Sequence, residues 1–415
     1  MERPAAMSPD LTSTELPDLL YSQPESDLRQ AVRSLFSVRC SPADLLARTE
    51  SNQTYDTSLW HALAAELGCS GLLIPESAGG AGASYREAAV VAEEAGRAVA
   101  PVPYLGSGVV ATAALLAAVG AEPAAEEDRK LLAALADGTL TAALVVPFES
   151  MTGRPAQRPI RVVGSSTGDQ PGSYRLTGTA SRLVDTLPAD VLLVPGDGVP
   201  FALYVVDAKA DGVTRTPSVS LDQTRQLCEL KLDNVPARRI AGGDAAAAAV
   251  RAALLAGAAM LASEQLGVAE QCLEMTVAYA KERRQFARQI GSFQAIKHRL
   301  ADLWVAVTQA RAAARYAAAC LADESQPTGY LSGQVSADAA LAVSLAKAYC
   351  GDVAVKAAEE CVQLHGGIGF TWEHPAHLYL KRAKSASIGY GTPDRHRAAL
   401  ADLADLPAPD AGASA

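Results

Sequence analysis

Hydrophobic periodicity changes twice along the chain, and the two changes divide it into three regimes that one class of secondary structure cannot absorb. From about Ser26 to Gly138 apolar residues recur at three- and four-residue steps, as around Leu59 to Leu67, and Tyr85 to Ala98 continues with helix formers. This predicts a helical domain. From about Thr141 to Ile240 short β-rich runs (ALVV, IRVV, VLLV, ALYVV) stand between Gly, Pro, Ser and Asp. Cys228, Leu230 and Leu232 alternate with Glu229, Lys231 and Asp233, the two-residue period of a strand covered on one face. This predicts a small β domain. From about Asp244 to Leu403 helices return and lengthen. Leu266, Ala269, Leu273, Val277 and Ala280 line one face, and Phe293, Ile296, Leu300, Leu303 and Val307 another. Gly291, the Gln326–Gly329 turn and Gly366-Gly367 punctuate them, which suggests four antiparallel helices.

A chain of 415 residues with 49% hydrophobic but only 5% aromatic residues, rich in alanine, suits closely packed helices in more than one domain. The net charge of -10, without a polybasic block, argues against nucleic acid as a partner, though a local cationic cluster can still hold an anionic ligand. Seven scattered cysteines without C-x-x-C spacing read as reduced thiols. Met1 to Asp10 shows no signal-peptide pattern, so a cytoplasmic location is expected. Residues 98–121 are uncharged, but Pro101, Pro103 and three glycines favour a loop and a buried helix over a membrane span.

Several motifs carry possible chemistry. Gly79-Gly80-Ala81-Gly82 follows an apolar run and precedes a helix, but it lacks the third glycine and the βαβ setting of a dinucleotide fingerprint, so a structural loop is the default. In KERRQFARQIGSFQAIKHRLADL, Lys281, Arg283, Arg284 and Arg288 gather positive charge around Phe286. Standing alone, this run also fits a solvated helix end. In CVQLHGGIGFTWEHPAHLYL a helix that stops at His365 and turns on Gly366, Gly367 and Gly369 lets main-chain N–H groups approach an anion. A plain glycine helix stop fits the same residues. His374 and His377 lie three apart, but Pro375 intervenes and no third metal ligand has suitable spacing.

Taken together, these segments resemble the acyl-CoA dehydrogenase family, in the family's order and over almost the whole chain. The opening region through GLLIPESAGGAGASYREAAVVAEEAGRA is similar to the family's N-terminal helical domain. RRQFARQIGSFQAIKHRLADL resembles R-x-x-F-G-x-x-I-x-x-F-Q-x-x-x-x-x-L-A-D, with Ala287 at the first glycine, and QLHGGIGFTWEHPAHLYLKRA matches Q-x-x-GG-x-G-[FY]. The resemblance implies a mainly α protein with a β domain. A helical domain would occupy residues 26–140, a middle β-barrel 141–240 and a C-terminal four-helix bundle 241–405, between a flexible start (1–25) and a disordered tail (406–415).

It also implies FAD, bound partly by a neighbouring subunit. Arg283, Gln285, Phe286 and Gln294 would approach its diphosphate and adenine, Gln363, Leu364, His365, Gly366 and Gly367 would cradle the pyrophosphate, and Thr392 would be a further contact. The substrate would be an acyl-CoA thioester, and an electron-transfer flavoprotein the usual acceptor.

Family catalysis needs a carboxylate to take the α-proton while a hydride leaves the β-carbon. Most members place it before a Gly-Thr pair near the C-terminus, where this chain has Tyr390, and a minority place it on the first bundle helix, where this chain has Gly257. A phenol is ionised about one part in a thousand at pH 7, so Tyr390 is a poor base. The family's G-x-K-x-W is represented by Gly178-Thr179-Ala180-Ser181-Arg182, and its E-P-x-A-G-S-D by Pro147-Phe148-Glu149-Ser150. GFTWEH, His377-Leu378-Tyr379-Leu380 and Arg395-His396-Arg397 are similar to an actinobacterial branch that handles sterol side chains and other bulky acyl groups with α2β2 assemblies, in which one of two different subunits carries the base. Three readings follow. The chain is the base-deficient subunit of such a heteromer, an autonomous homo-oligomer with Glu264 or Asp394 as relocated base, or a flavin-free acyl-CoA binding scaffold.

Overall fold

The computed structural model describes residues 17–51, 55–121, 125–152, 160–163, 174–197, 200–322 and 336–406. Among the described residues six α-helices build the N-terminal layer, beside shorter helical turns: α1 (Gln23–Arg39), α2 (Pro42–Thr49), α3 (Thr57–His61), α4 (Tyr85–Ala98), α5 (Thr112–Ala121) and α6 (Glu126–Ala136). Order begins inside the segment expected to be flexible, because a capping box starts α1 there. The Glu25 N–H donates to the Ser22 hydroxyl, and the Ser22 N–H donates to the Glu25 carboxylate at 2.6 Å. The Gly79–Gly82 stretch folds back on the chain before it: the Ala81 and Gly82 N–H groups donate to Gly71 and Ile74 at 2.9 Å. A Cβ on Gly80 would sit 2.0 Å from the Ile74 carbonyl oxygen, which explains the glycine without a ligand. The uncharged stretch runs as a wide buried helix, Tyr104–Ala111, into α5.

The middle domain is one sheet of seven strands: β1 (Ala142–Leu144), β2 (Ile160–Val163), β3 (Tyr174–Val184), β4 (Val191–Gly196), β5 (Ala202–Asp207), β6 (Val213–Pro217) and β7 (Leu227–Gly242). They run in the order β1-β4-β5-β7-β3-β2, and β6 also pairs with β7. The 16-residue β7 holds β3 over Leu227–Ala237 and β6 over Cys228–Leu232, then β5 over Arg238–Gly242, and this bends the sheet round. The Asp197 N–H, just past β4, donates to Ile160 in β2 at 3.1 Å, so the sheet curls back toward itself as a barrel does. Cys228, Leu230 and Leu232 point into this domain's core, as their alternation predicts.

The C-terminal layer contains α7 (Gly243–Glu282), α8 (Gln294–Leu321), α9 (Ala337–His365), α10 (Ala376–Ile388) and α11 (Pro393–Leu403). Five helices stand where four were expected among the described residues. The fifth arises because Thr392 caps α11, accepting the Arg395 N–H, and Pro393 occupies its first turn. The expected Gln326–Gly329 turn lies outside the described residues. The 40-residue α7 is the axis of the molecule, and its alanines and glycines let backbones touch. A Cβ on Gly267 would fall 1.9 Å from the Glu93 carbonyl oxygen of α4, and one on Gly96 of α4 would fall 2.0 Å from that of Glu264. By length and composition α7 could cross a bilayer, but 72% of its apolar window is buried inside the protein, as befits a core helix.

Candidate cofactor cradle and closed cleft

The cationic strip begins where α7 stops. Arg283 takes an extended conformation, and a two-residue hairpin follows, with Arg284 and Gln285 paired to Gln289 and Arg288. Its tip residues Phe286 and Ala287 have φ of 52° and 62°, the doubly left-handed turn that suits a tight hairpin. Ala287 therefore occupies a glycine-favouring conformation, as expected of the position where the family has glycine. Buried Ile290 anchors the hairpin, and its N–H donates to Arg283 at 2.9 Å. Phe286 is left 86% exposed, meeting only the Phe293 ring edge to face at 6.2 Å among the described ring contacts. Arg288 lies over the Phe293 ring at 3.9 Å, and Gln294 opens α8 on the exposed side.

The glycine bend begins where α9 stops, at His365, as the sequence predicts. Gly366 has φ 63°, and a Cβ placed on Gly366 or Gly367 would meet no atom within 4 Å. Gly369 differs: a Cβ there would press on the Val362 carbonyl at 2.6 Å. The first two glycines thus face open space, and the third serves packing. The ends of α7 and α9 that lead into strip and bend touch within one protomer: Tyr279, one turn before Arg283, stacks on His365 with ring centroids 4.4 Å apart. His374 tilts against His365 at 4.4 Å, and His377 hydrogen-bonds the Trp372 carbonyl at 3.3 Å.

The inner cleft, between sheet and bundle, is closed. Tyr390 is 1% exposed and held at φ 50°, and its N–H donates to Phe148 at 2.7 Å. The Phe148 N–H donates in turn to Arg182 of β3 at 2.8 Å. The two rings meet edge to face at 5.3 Å. A Cβ on Gly389 would strike Phe148 at 2.3 Å, so Phe148 also fills the space beside the turn. The two departures in the β domain prove to be partners, since Arg182 donates from Nε to Glu149 at 2.8 Å. Burial pushes the Tyr390 phenol well above its ordinary value, which removes it as a base at neutral pH.

Neither relocated acid is poised for proton abstraction. Glu264 is buried between Arg382, at 2.7 Å, and Arg225, and each of its oxygens takes a guanidinium donor. Burial opposes its charge, but the two arginines outweigh that and hold the carboxyl below its usual range. Asp394 lies in the first turn of α11 with its side chain 93% exposed, paired to Arg397 at 2.9 Å. Sequence reasoning passed over Arg225, Arg382 and Lys347, and met His396 only within the Arg395-His396-Arg397 resemblance. Lys347 left a faint signal, a lone cation in the apolar run AVSLAKAYC. Lys347 donates to Ala386 and Gly391 at 3.1 and 3.2 Å, and His396 bonds the Tyr390 carbonyl at 2.9 Å, so both fasten the turn that carries Tyr390 and Thr392.

A helical layer, a curled sheet and a helical bundle round one cleft, with a cationic-aromatic hairpin beside a glycine bend, define the architecture of the acyl-CoA oxidising flavoproteins. The acyl-CoA dehydrogenase N-terminal domain matches residues 22–139 and the C-terminal domain of the same enzymes matches residues 247–404. The chain belongs to the acyl-CoA dehydrogenase family, whose cofactor is FAD. It is 36% identical to acyl-CoA dehydrogenase IpdE2 of Mycobacterium tuberculosis over 366 residues, 87% of this chain and 91% of that one. Among solved structures it is similar to the ChsE4-ChsE5 complex from Mycobacterium tuberculosis, with TM-score 0.79 and 28% identity, covering 94% of this chain and 100% of the other. It is likewise similar to a Tcur3481-Tcur3483 steroid acyl-CoA dehydrogenase variant, with TM-score 0.76 and 30% identity, covering 92% and 98%.

Proposed function

We propose that this chain is the base-deficient subunit of a heteromeric acyl-CoA dehydrogenase, lending part of the FAD site to a partner that carries the catalytic carboxylate. The observation that carries the reading is the closed inner cleft. Phe148 and Tyr390 pack together where sheet meets bundle, and Tyr390 lies against Gly257, so the two family base positions hold no acid and leave no room for one.

The residues fit FAD in one region and not in the other. The exposed bend at Gly366 and Gly367, with no atom near the place of a Cβ, suits a diphosphate reached by main-chain N–H groups, with Gln363, Leu364 and His365 leading into it. Arg283 supplies positive charge, Gln285 and Gln294 supply amide donors, exposed Phe286 offers a face to an adenine, and Thr392 stands at the head of α11. The Arg182–Glu149 pair and the Phe148–Tyr390 contact do not fit a flavin ring in this chain's own cleft. Bound FAD supplies the hydride acceptor for α,β-dehydrogenation of an acyl-CoA thioester, and electrons leave to an electron-transfer flavoprotein. The likeness to two-protein assemblies, one of them described as a steroid enzyme, supports a bulky acyl group and a heteromer.

The test is to purify the chain alone and with a related subunit bearing Glu before its Gly-Thr pair, then measure bound FAD and acyl-CoA oxidation with an artificial electron acceptor. The lone chain is expected to show little or no turnover. Robust turnover by the lone chain, lost on Asp394→Asn, would overturn the reading in favour of an autonomous enzyme.

A further inference from the structure

Two imidazoles stand at the two ends of the loop that carries the glycine bend. His365 closes α9, His374 lies two residues before α10, and the eight residues Gly366–Glu373 run between them. Of these eight only Gly369 is buried, packed on Val362 and His365. The Thr371 N–H and hydroxyl both turn back to Ile368, at 3.1 and 2.8 Å, so the loop is shaped from within and its stance is set at its base.

At that base the His365 and His374 rings meet with centroids 4.4 Å apart, and each is held by its own helix end. A carbonyl only accepts, so His365 Nδ1 carries the hydrogen that it donates to the Cys361 carbonyl at 2.7 Å; the Cys361 sulfur lies 3.7 Å from the same nitrogen. An N–H only donates, so His374 Nδ1 carries none, and it accepts the Ala376 N–H at the start of α10 at 3.2 Å. The His365 ring also stacks on Tyr279 of α7. One ring contact thereby joins the ends of α7 and α9 to the start of α10.

We propose that His365 and His374 are positioning residues for FAD, a clasp that holds the Gly366–Glu373 loop in place while His374 is uncharged and lets it swing free once both rings carry a proton. This rests on the cofactor role proposed above for the glycine bend. With Nδ1–H committed to the carbonyl, His365 takes its further proton at Nε2. Burial opposes that proton, but the bonds to the Cys361 thiol and carbonyl outweigh it. Burial, and then the neighbouring His365, push half-buried His374 down. A proton on His374 must also displace the Ala376 N–H from Nδ1.

Nothing near the pair offsets a second charge. The groups that face it are the Tyr279 ring from α7, the Cys361 thiol from α9, and His377 and Lys381 from α10, none of them a carboxylate. Among the described residues the histidine that does meet a carboxylate is His61. Opening the loop parts the rings but keeps the His365 bonds to Cys361, which lie within α9. The closed form is therefore favoured above the ordinary histidine value of about 6.5 and loses ground as pH falls through it.

The experiment uses the assembled complex of the full chain with its related subunit. It measures FAD retention from pH 8 to 5, beside hydrogen exchange of the peptide spanning 361–377 corrected for the intrinsic effect of pH. In the parent, retention and loop protection should both fall several-fold between pH 7 and pH 5. His374→Ala removes the clasp and should lower retention several-fold already at pH 7. His374→Phe restores a ring without a second charge, so it should rescue retention at pH 7 and abolish the acid release. A His374→Ala complex equal to its parent at pH 7 would overturn the positioning role. Acid release that survives unchanged in His374→Phe, or retention that rises toward pH 5, would overturn the proton dependence. If the complex holds no FAD at any pH, the cofactor role fails, and exchange alone decides the clasp.

Discussion

A Cβ placed on Gly257 would lie 2.9 Å from Cε2 of Tyr390, so the two positions at which this family keeps its catalytic base touch each other here. The same Cβ would lie 2.9 Å from Cγ2 of Val110, which leaves it no escape. Gly257→Ala should therefore overpack the cleft and lower stability by about 1–3 kcal/mol, read as a fall in the thermal midpoint. In a Tyr390→Ala background the same change should cost less than half as much, because the ring it strikes is gone. Equal losses in both backgrounds would show that the contact is not what limits the site.

Arg283 provides a test of the cradle that is independent of the cleft. It stands just past the end of α7, exposed, and no part of the core depends on it. Arg283→Ala in the assembled complex should weaken FAD retention by roughly 10- to 100-fold, the range of one lost hydrogen bond to a charged group, while circular dichroism stays unchanged. Flavin occupancy equal to that of the unaltered complex would remove the assigned role.

Glu264 should behave as a structural ion and not as a base. Each of its oxygens meets a buried guanidinium, so Glu264→Gln leaves Arg225 and Arg382 undercompensated and should cost about 3–5 kcal/mol. Its folded pKa lies below the ordinary 4.5, so the stabilisation is present above pH 4.5 and fades as pH falls through the folded value. Urea unfolding at pH 3.5, 4.5 and 7 should show the gap between parent and variant narrowing toward acid. A constant gap would mean that the carboxylate charge contributes nothing.

Much of this was legible in the sequence, for reasons that differ by element. The helical and β regimes followed from periodicity, and the stop of α9 at His365 from its glycines, because both are local signals. At the hairpin tip Phe286 was legible as a match to the family segment and Ala287 as a departure from it, and the left-handed φ of Ala287 gives that departure its physical sense. The Arg182–Glu149 pair joins two changes that looked independent, being 33 residues apart. Glu264 read as a possible base because a sequence cannot show that Arg225, 39 residues earlier, and Arg382, 118 residues later, converge on it. Buried charge networks are assembled by the fold, and no spacing rule announces them.

Lys347 yields a prediction whose sign is opposite to intuition for a lysine. Its side chain is fully buried, and its Nζ donates to the Ala386 and Gly391 carbonyls, with no carboxylate at ion-pair distance among the described residues. Burial, the largest influence, lowers the ammonium from 10.5 to about 7, while Cys350, Asp352 and Glu264 pull it up and Arg225 pushes it further down. Between pH 7 and 10.5 the unfolded chain therefore holds the proton more tightly than the folded one, so stability rises with pH, by up to about 1.4 kcal/mol per unit. This contribution is complete above the unfolded value and is lost as pH falls toward 7. Lys347→Met removes the titration but orphans two carbonyls, so the variant should be less stable at pH 9 and closer to its parent at pH 7. Because buried cysteines also titrate in alkali, the quantity to follow is the difference between parent and variant unfolding free energies. A difference that stays flat from pH 7 to 9.5 would mean that Lys347 holds the Tyr390 turn without giving up its proton.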